Sequence, residues 1–449
     1  MQNQTDTIVA ISTPAGTGGI SIVRLSGADS IQILSKSYQG KTSPKNFKNH
    51  SIYFGKVFDG NQLIDDVLVS VFIAPHSYTG EDVIEISCHG GNFVTQQILQ
   101  IMLRNGARMA MPGEFTKRAF LNGKMDLTEA EAVIDLIQAK TKHSQEAAIF
   151  QLEGKLYSSI KSMLDRITEL RCEIELDLDF SEQGLEYKNT EEFIRELKDI
   201  KRKISLLVNT GDEGIILNEG YKVVIAGEPN AGKSSLFNKI VENERAIVTE
   251  IPGTTRDYIE EDIALEGYLV KLFDTAGMRK SKDRIEKVGI EKSADIIKQA
   301  DLILWVHDIT INLAKVSNFR KVLNKDVIEV FNKIDLVKEK KKSDDPNIAF
   351  VSALSGQGVS DLKKKIINRI DLGKYDISHG LISNTRQLAA AKKSLQAIKQ
   401  AINTTQKNLG LEFIAFDLRE ASEALEEIIG KVTSEEIINS IFGRFCVGK

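Results

Sequence analysis

The sequence predicts a multidomain protein of mixed α+β and α/β class. An α+β domain comes first, a helical domain is written in two segments, and an α/β domain with a mostly parallel sheet is inserted between them. Three observations predict this. Up to about residue 120 the apolar residues come in short runs broken by glycine, as strands and turns do. From Leu127 they recur at the three- and four-residue spacing of helices. From Tyr221 the order is strand, glycine-rich loop, helix, strand, and after about residue 376 the helical period returns. The resulting boundaries are 1–120, 121–215, 216–375 and 376–449.

A chain of 449 residues exceeds one ordinary domain, and 42% hydrophobic with 27% charged residues is a globular balance. No apolar run approaches the ~18–20 residues of a spanning helix, and "MQNQTDTIVA" lacks the basic flank and apolar core of a signal peptide. The expected location is the cytoplasm, without a membrane partner. A net charge of −4 argues against a chain that grips nucleic acid over its whole surface, so RNA contact must come from a local patch or a partner. The most basic run, "KEKKKSDD" at 338–345, ends in acids and reads as a solvated loop. Three cysteines are too few and too scattered for a disulfide framework. Cys88 and His89 have no second pair at metal-ligand spacing, so zinc is not expected.

In the first domain "TIVAIS", "GISIVRLSG", "DVLVSVFIA" and "EDVIEISCHGG" read as strands. The last alternates, with Val83, Glu85 and Ser87 on one face and Ile84 and Ile86 on the other. "GGNFVTQQILQIMLRNG" reads as a helix with Val94, Ile98, Ile101 and Met102 along one side. Thr128 and Glu131 have capping-box spacing ahead of a face of Ala130, Val133, Ile134 and Ile137. Leu156, Ile160, Met163, Leu164, Ile167 and Leu170 line a second helix, and no proline interrupts residues 113 to 228. Six strand candidates follow: "YKVVIAG", "YIEEDIAL", "LVKLFD", "DLILWV", "DVIEVF" and "IAFVS". Leu388, Ala391, Leu395, Ile398 and Ile402 mark the returning helical face, and Thr433 with Glu436 has capping-box spacing before "IINSIF".

"GEPNAGKSS" from Gly227 to Ser235 follows a strand and opens a helix, the context a phosphate-binding loop requires. Glycines let backbone N–H groups close on phosphates, and the helix N-terminus adds partial positive charge. Asn230, Ala231, Gly232, Lys233, Ser234 and Ser235 are the expected nucleotide contacts, with Lys233 on the β/γ oxygens and Ser234 on Mg²⁺. "NKID" (Asn332, Lys333, Ile334, Asp335) follows another strand. A carboxylate at Asp335 accepts two N–H bonds from a guanine edge, which adenine cannot offer. In "SAL" (Ser352, Ala353, Leu354) a backbone N–H can meet the guanine carbonyl. Within "TEIPGTT" (Thr249, Glu250, Ile251, Pro252, Gly253, Thr254, Thr255), Thr255 is the candidate switch threonine on Mg²⁺ and the γ-phosphate. "DTAG" (Asp274, Thr275, Ala276, Gly277) would hold the metal through water by Asp274. In this order the motifs specify GTP. Met278 stands near where familiar GTP switches carry a water-orienting glutamine, so the nucleophile needs another partner.

"GEPNAGKSSLFN", "EIPGTTRD", "DTAGMR" and "NKID" together resemble the TrmE-Era-type GTPases. The opening "DTIVAISTPAGTGGISIVRLSG", the stretch "MPGEFTKRAFLNGKMDLTEAEAVIDLI" and the final "FCVGK" resemble one branch, the MnmE (TrmE) family of bacterial tRNA-modification GTPases, and the resemblance covers the whole chain. It implies an N-terminal folate-binding and dimerisation domain, a helical domain and an inserted Ras-like G domain. It implies a homodimer that joins a flavin-dependent partner, MnmG (GidA), as a heterotetramer. Together they would build an aminomethyl or carboxymethylaminomethyl group at the wobble uridine of certain tRNAs. The carbon would come from 5-formyltetrahydrofolate or methylenetetrahydrofolate.

The resemblance further implies that K⁺ and pairing of two G domains trigger hydrolysis, with Asn230, Thr249, Ile251 and Thr254 around the K⁺. The physical need is positive charge between the β- and γ-phosphates as charge moves to the leaving oxygen. It places the catalytic glutamate at Glu286; from the residues themselves, Asp283 is a rival acid nearby, and Arg279 is a candidate for steadying the switch, with a plain surface role open equally. It places Arg24, Glu85, Lys124 and Lys449 on folate, where a pterin offers N–H donors to a carboxylate and a glutamate tail needs cations. Without it, Glu85 reads as a solvated strand acid. Cys446 stands at the prenylation position, but Gly448 and Lys449 do not suit that signal. Arg444 and Lys449 favour a thiolate, and the resemblance makes Cys446 necessary for modification. Nucleophile and packing thiol both stay open. The alternative function is a ribosome-assembly GTPase of the Era/Der type, which would append an RNA-binding domain, yet no KH-type GxxG loop follows residue 376. A dynamin-like membrane remodeller would need a membrane-binding segment, and none is evident.

Overall fold

The computed structural model describes residues 6–179, 190–242, 259–275, 296–311, 325–337, 343–370 and 380–449. By contact the chain divides into two units, Met1–Ile134 with Glu426–Lys449, and Asp135–Leu425.

The first unit holds a seven-stranded sheet of β1 (Ile8–Ile11), β2 (Ile20–Ser26), β3 (Tyr38–Gly40), β4 (Ser51–Asp59), β5 (Gln62–Phe72), β6 (Val83–His89) and β7 (Arg108–Met109). Their order is β3-β4-β5-β6-β2-β1-β7, antiparallel except for β1 with β7. Alternation puts Val23, Leu25, Val69, Ile84 and Ile86 on one face, where α1 (Ser30–Ser35) and α2 (Asn92–Arg104) cover them with Ile33, Leu34, Ile98 and Met102. Burying each such side chain stabilises by about 1.5–3 kcal/mol. The opposite face leaves Ile20, Ile52, Phe54 and Leu68 exposed. β2 and β6 pair Arg24 directly with Glu85, so two residues 61 apart in sequence stand side by side.

α3 (Glu114–Leu121), the start of α4 (Leu127–Gln138) and the last helix (Glu435–Phe442) gather Leu127, Ala130, Ile441, Phe442 and Phe445 into a second small core. Both expected capping boxes move. Asp126, not Thr128, accepts from the Thr128 and Glu129 backbone N–H groups, while Glu129 accepts from the Asp126 N–H. Thr128 is itself buried in the first turn, because Leu127 must enter the core as the first helical residue. Ser434, not Thr433, caps the last helix by accepting from Ile437 N–H. Ile137, expected on the apolar face, is 50% exposed.

The second unit sets α5 (Lys142–Leu152), α6 (Lys155–Asp179) and α7 (Thr190–Glu219) before a six-stranded sheet. The sheet comprises β8 (Tyr221–Gly227), β9 (Ile259–Leu265), β10 (Tyr268–Asp274), β11 (Leu302–Asp308), β12 (Val327–Asn332) and β13 (Ile348–Phe350), in the order β13-β12-β11-β8-β10-β9. All neighbours are parallel except β9, an antiparallel edge. α8 (Lys233–Val241) and α9 (Val359–Ile370) bury Leu236, Phe237, Leu362 and Ile366 on one sheet face. After the sheet come α10 (Thr385–Gln406) and α11 (Leu411–Ile429), which runs on into the residues of the first unit; α12 is that unit's Glu435–Phe442 helix. Helices from before and after the sheet pack on one another. A Cβ at Gly214 would lie 1.9 Å from the Ile382 carbonyl oxygen and one at Gly211 2.5 Å from Leu388, so only glycine lets α7 approach that closely. Among the described residues no helix is long and apolar enough to cross a membrane.

Candidate functional site

Parallel strands β8, β11 and β12 end on the same edge, and the loops beyond their carboxyl ends form the first candidate site. After the buried strand β8, Gly227 turns at φ 141°, and a Cβ there would sit 2.2 Å from the Val306 carbonyl oxygen. Asn230 takes the left-handed φ of 64°, exposed at the loop edge. Gly232, at φ 90°, begins α8, so N–H groups of its first turn face the loop. The Lys233 ammonium folds across this loop, donating to the Gly227 carbonyl at 3.1 Å and the Glu228 carbonyl at 2.8 Å. Ser234 and Ser235 are exposed at the head of the helix, while Ala231 is buried beneath them.

Asn332 ties three segments together. Its amide donates to the Ala231 carbonyl at 2.9 Å, and its carbonyl accepts from Ala353 N–H at 3.0 Å and Lys333 N–H at 2.8 Å. At 2% exposure these bonds work in a dry interior, and losing one partner costs about 1–3 kcal/mol. The tie sets the phosphate-type loop, NKID and SAL against each other. Lys333 stands at φ 66° and its ammonium donates to Asp308 at 2.5 Å. Burial alone would raise the Asp308 carboxyl, but hydrogen bonds from Lys333 and Thr310 outweigh it and hold the group below its usual value. Asp335 is exposed, with one carboxylate oxygen accepting from buried Ser352 Oγ at 2.5 Å, which orients the other edge outward. Ile334 lies beside it, and Leu354 is 84% exposed at the rim. A cavity of about 540 Å³ is lined by Ser235, Asn238, Lys239, Ala353 and Leu354. It opens beside the loop and its lining includes neither Lys233 nor Asp335.

Asp274 ends β10 buried at 1% exposure and in register with Ile225, one strand from the loop. Thr275 donates to the Ile225 carbonyl at 2.9 Å. Thr249, Glu250, Ile251, Pro252, Gly253, Thr254, Thr255, Ala276, Gly277, Arg279, Asp283 and Glu286 lie outside the described residues.

A second site lies in the first unit. Arg24 donates to Glu85 at 2.8 and 2.9 Å and to the Gly448 carbonyl at 3.2 Å. Its guanidinium rests 5.6 Å from the Phe115 ring centre and 6.0 Å from that of Tyr78. The chain end reaches it because Gly448, at φ 99°, passes so close to β1 that a Cβ would lie 2.2 Å from the Ile11 carbonyl oxygen. Ser12 Oγ and Phe115 N–H then hold Gly448 and Lys449 by their carbonyls. Burial, and then the Arg24 charge, keep the Lys449 ammonium below its ordinary value, opposed by Glu85. Lys124 donates to the Pro75 carbonyl at 3.0 Å, on the loop that carries Tyr78. Cys446 is exposed beside this tail.

Behind the site, fully buried Arg118 donates to Glu81 at 2.9 Å and Asp6 at 2.8 Å, and Glu81 accepts from Ser26 two positions along β2 from Arg24. Asp308, Tyr78, Phe115 and Arg118 escaped the sequence reading. Asp308 at the end of "LILWVHD" carried a usable signal, since a carboxylate at a strand end beside a phosphate-loop strand faces the ligand edge. Tyr78, Phe115 and Arg118 carried none. Their roles arise from pairings across tens of residues.

Residues 7–124 match the family described as the GTP-binding protein TrmE N-terminus, and residues 127–446 match that of the MnmE helical domain. The tRNA modification GTPase MnmE of Bacillus velezensis is 41% identical, over 99% of this chain and 100% of its own. That of Staphylococcus aureus strain Newman is 39% identical over 99% of each. Among solved structures, the G domain of the T. maritima FeoB iron transporter is 27% identical, covering 33% of this chain and 98% of its own at a TM-score of 0.26.

Proposed function

The chain belongs to the MnmE family of tRNA modification GTPases, and from that premise we propose that it hydrolyses GTP to drive wobble-uridine modification of tRNA in the cytoplasm. The observation that carries the GTP reading is the Asn332 tie, which gathers the phosphate-type loop, Asp335 and the SAL backbone around one opening.

In this reading Asp335, steadied by Ser352, accepts both N–H donors of the guanine edge, and Ala353 lies beside the guanine carbonyl. Loop N–H groups and Lys233 neutralise the β- and γ-phosphates. Ser234 and Asp274 are oxygen donors of the kind Mg²⁺ takes, and the ion would supply further charge at the β/γ oxygens. Exposed Asn230 offers a side-chain carbonyl where K⁺, with Thr249, Ile251 and Thr254, would supply charge between the phosphates. Glu286 holds the attacking water in place of the absent glutamine.

The domains of this reading are 1–120 for folate and dimerisation, 121–215 with 376–449 as the helical domain, and 216–375 as the G domain. Arg24, Glu85, Lys124 and Lys449 bind the tetrahydrofolate that delivers the one-carbon unit, with Cys446 nearby. The grouping of Arg24, Glu85 and Lys449 around one point supports this assignment. The exposed Ile20, Ile52, Phe54 and Leu68 offer a face for a second copy. The flavin-dependent MnmG completes the heterotetramer.

The test compares GTP turnover in KCl and NaCl at equal ionic strength. Turnover should be much faster in KCl, Asn230→Ala should erase the difference, and Glu286→Ala should slow turnover by about 10²–10⁴-fold with nucleotide affinity kept. Equal turnover in both salts overturns the K⁺ reading. Mass analysis of wobble nucleosides from a strain lacking the protein tests the tRNA reading, and an unchanged nucleoside profile overturns it.

A further inference from the structure

α10 and α11 are neighbours, joined by a short turn and packed through the Ser394 hydroxyl on the Ala421 carbonyl and the Thr404 hydroxyl on Asp417. Their solvent faces are opposite in kind. α11 carries acids on its solvent face, with Arg419 paired to Glu423 one turn on, and leaves Phe413 and Phe416 exposed. On α10 the stretch from Thr385 to Lys407 carries Arg386, Lys392, Lys393, Lys399 and Lys407 and not one acid. At the chain's overall frequency of 63 acids in 449 residues, a stretch of that length would hold about three.

The lysines are also aligned. At 3.6 residues per turn, Lys392, Gln396, Lys399, Asn403 and Lys407 fall within an arc of about 80°, and the lysines span about 22 Å along the axis. All three lysines are exposed, and among the described residues none of them makes an ion pair. Lys407 has a local reason to be there, since a cation at a helix C-terminus meets the dipole. Lys392 and Lys399 lie mid-helix, where the dipole offers nothing. Lys393, at the edge of the stripe, is shared with Glu423.

From this stripe we infer that α10 is a docking surface for the phosphodiester backbone of tRNA. The proposal rests on the tRNA-modification reading and adds to it where this chain touches the RNA. Lysines supply charge, and Gln396, Gln400, Asn403 and Gln406 supply amides that hydrogen-bond phosphate and sugar oxygens, the two contact types that position a protein on nucleic acid. A membrane-lying helix would carry Trp, Phe or Leu along its own basic arc, and this arc holds none; the exposed Leu409, Phe413 and Phe416 lie on the turn and on α11, outside the lysine row. A protein interface would be depleted of lysine at its centre and anchored by aromatic residues. A uniformly cationic, amide-bearing, apolar-free row fits a polyanion read by shape rather than by base.

The test uses the full chain with K392Q, K399Q and K407Q combined. Lysine and glutamine have similar helix propensity, so the helix survives the change, and circular dichroism checks it. Fluorescence anisotropy with end-labelled bulk bacterial tRNA is read over a KCl series. The triple variant should bind at least about tenfold more weakly at 50 mM KCl, and the slope of log affinity against log salt should fall by about 2–3, nearly one per lysine. GTP turnover should not change. If the triple variant fails to fold, K399Q alone should still lower the slope by about 0.7–0.9. An unchanged affinity and slope overturns the proposal while leaving the modification reading intact, because that reading stands on the wobble-nucleoside profile. Normal tRNA binding with lost binding to phosphatidylglycerol vesicles, or to an acidic protein, also overturns it and assigns the stripe elsewhere.

Discussion

The nucleotide site takes Gly227 to Ser235 from one loop and its remaining described residues from the ends of neighbouring strands, whereas the N-terminal site takes Arg24, Glu85, Phe115 and Gly448 from four distant stretches. In the first, backbone N–H groups and left-handed turns do much of the work, and Gly232 is fixed by its own φ of 90°. In the second, side chains do the work, and each is held by a partner elsewhere: Arg24 by Glu85, Tyr78 by Thr116, Arg118 by Asp6 and Glu81. A backbone-built site tolerates change in most side chains but fails at the one that reads the ligand. A side-chain-built site fails gradually as each partner is removed.

The sharpest break is therefore expected at Asp335. Asp335→Asn keeps the Ser352 contact but replaces an acceptor with a donor against the guanine N–H groups. GTP affinity should fall by roughly 10²–10⁴-fold, with xanthosine triphosphate gaining, because a mismatched polar pair leaves groups unsatisfied. Competition binding of GTP, XTP and ATP reads this directly, and wild-type protein binding ATP as well as GTP would refute the base-reading role.

Glu85→Ala tests the other plan. It leaves Arg24 with only the Gly448 carbonyl and its aromatic bed, and removes the acceptor a pterin would use. Calorimetry with 5-formyltetrahydrofolate should show binding about tenfold to a hundredfold weaker, the range of one charged hydrogen bond. Unchanged binding would place folate away from the Arg24–Glu85 pair.

The same contrast explains what could be read from the sequence. The six strands of the second sheet and its loop were legible because short, near-continuous apolar runs, Gly227, Gly232 and NKID are local signals. The chain-end docking was not, since nothing in "FCVGK" says that Gly448 will lie on Ile11. Glu85 looked like a solvated acid until register put Arg24 opposite. The caps shifted to Asp126 and Ser434 for a related reason. Each segment offers two cap-forming residues in near succession, and the choice falls to whichever lets Leu127 or Ile441 reach the core.

Asn332→Ala probes whether the nucleotide site's backbone plan depends on one side chain after all. It strips partners from the Ala231 carbonyl and the Ala353 and Lys333 N–H groups. The second unit should lose about 1–3 kcal/mol of stability. The chain's one tryptophan, Trp305, stands on β11, so its fluorescence in a urea titration reports this sheet. An unchanged midpoint would show that the loops hold their arrangement without the tie.

The smallest effect belongs to the ion network behind the N-terminal site, and pH isolates it. Hydrogen bonding from Arg108 outweighs burial, which opposes it, and with the charges of Arg108 and Arg118 holds the Asp6 carboxyl below its ordinary value. A carboxyl whose folded pKa lies below the unfolded one adds stability that is fully present above the unfolded value, near 3.9, and is lost as pH falls through the folded value. The Asp6 side chain is 46% exposed, so solvent screens the interaction and the contribution should stay within about 1 kcal/mol. Wild type should therefore exceed Asp6→Asn by that margin at pH 6, with the gap beginning to shrink below about pH 4 and closing only as pH falls through the lower folded value. Trp305 does not report on this unit, so far-UV circular dichroism in urea is the measurement. A gap that stays unchanged throughout the acid titration would mean that Asp6 acts through its shape or its neutral hydrogen bonds, with the charge of Arg118 met by Glu81 and Glu114.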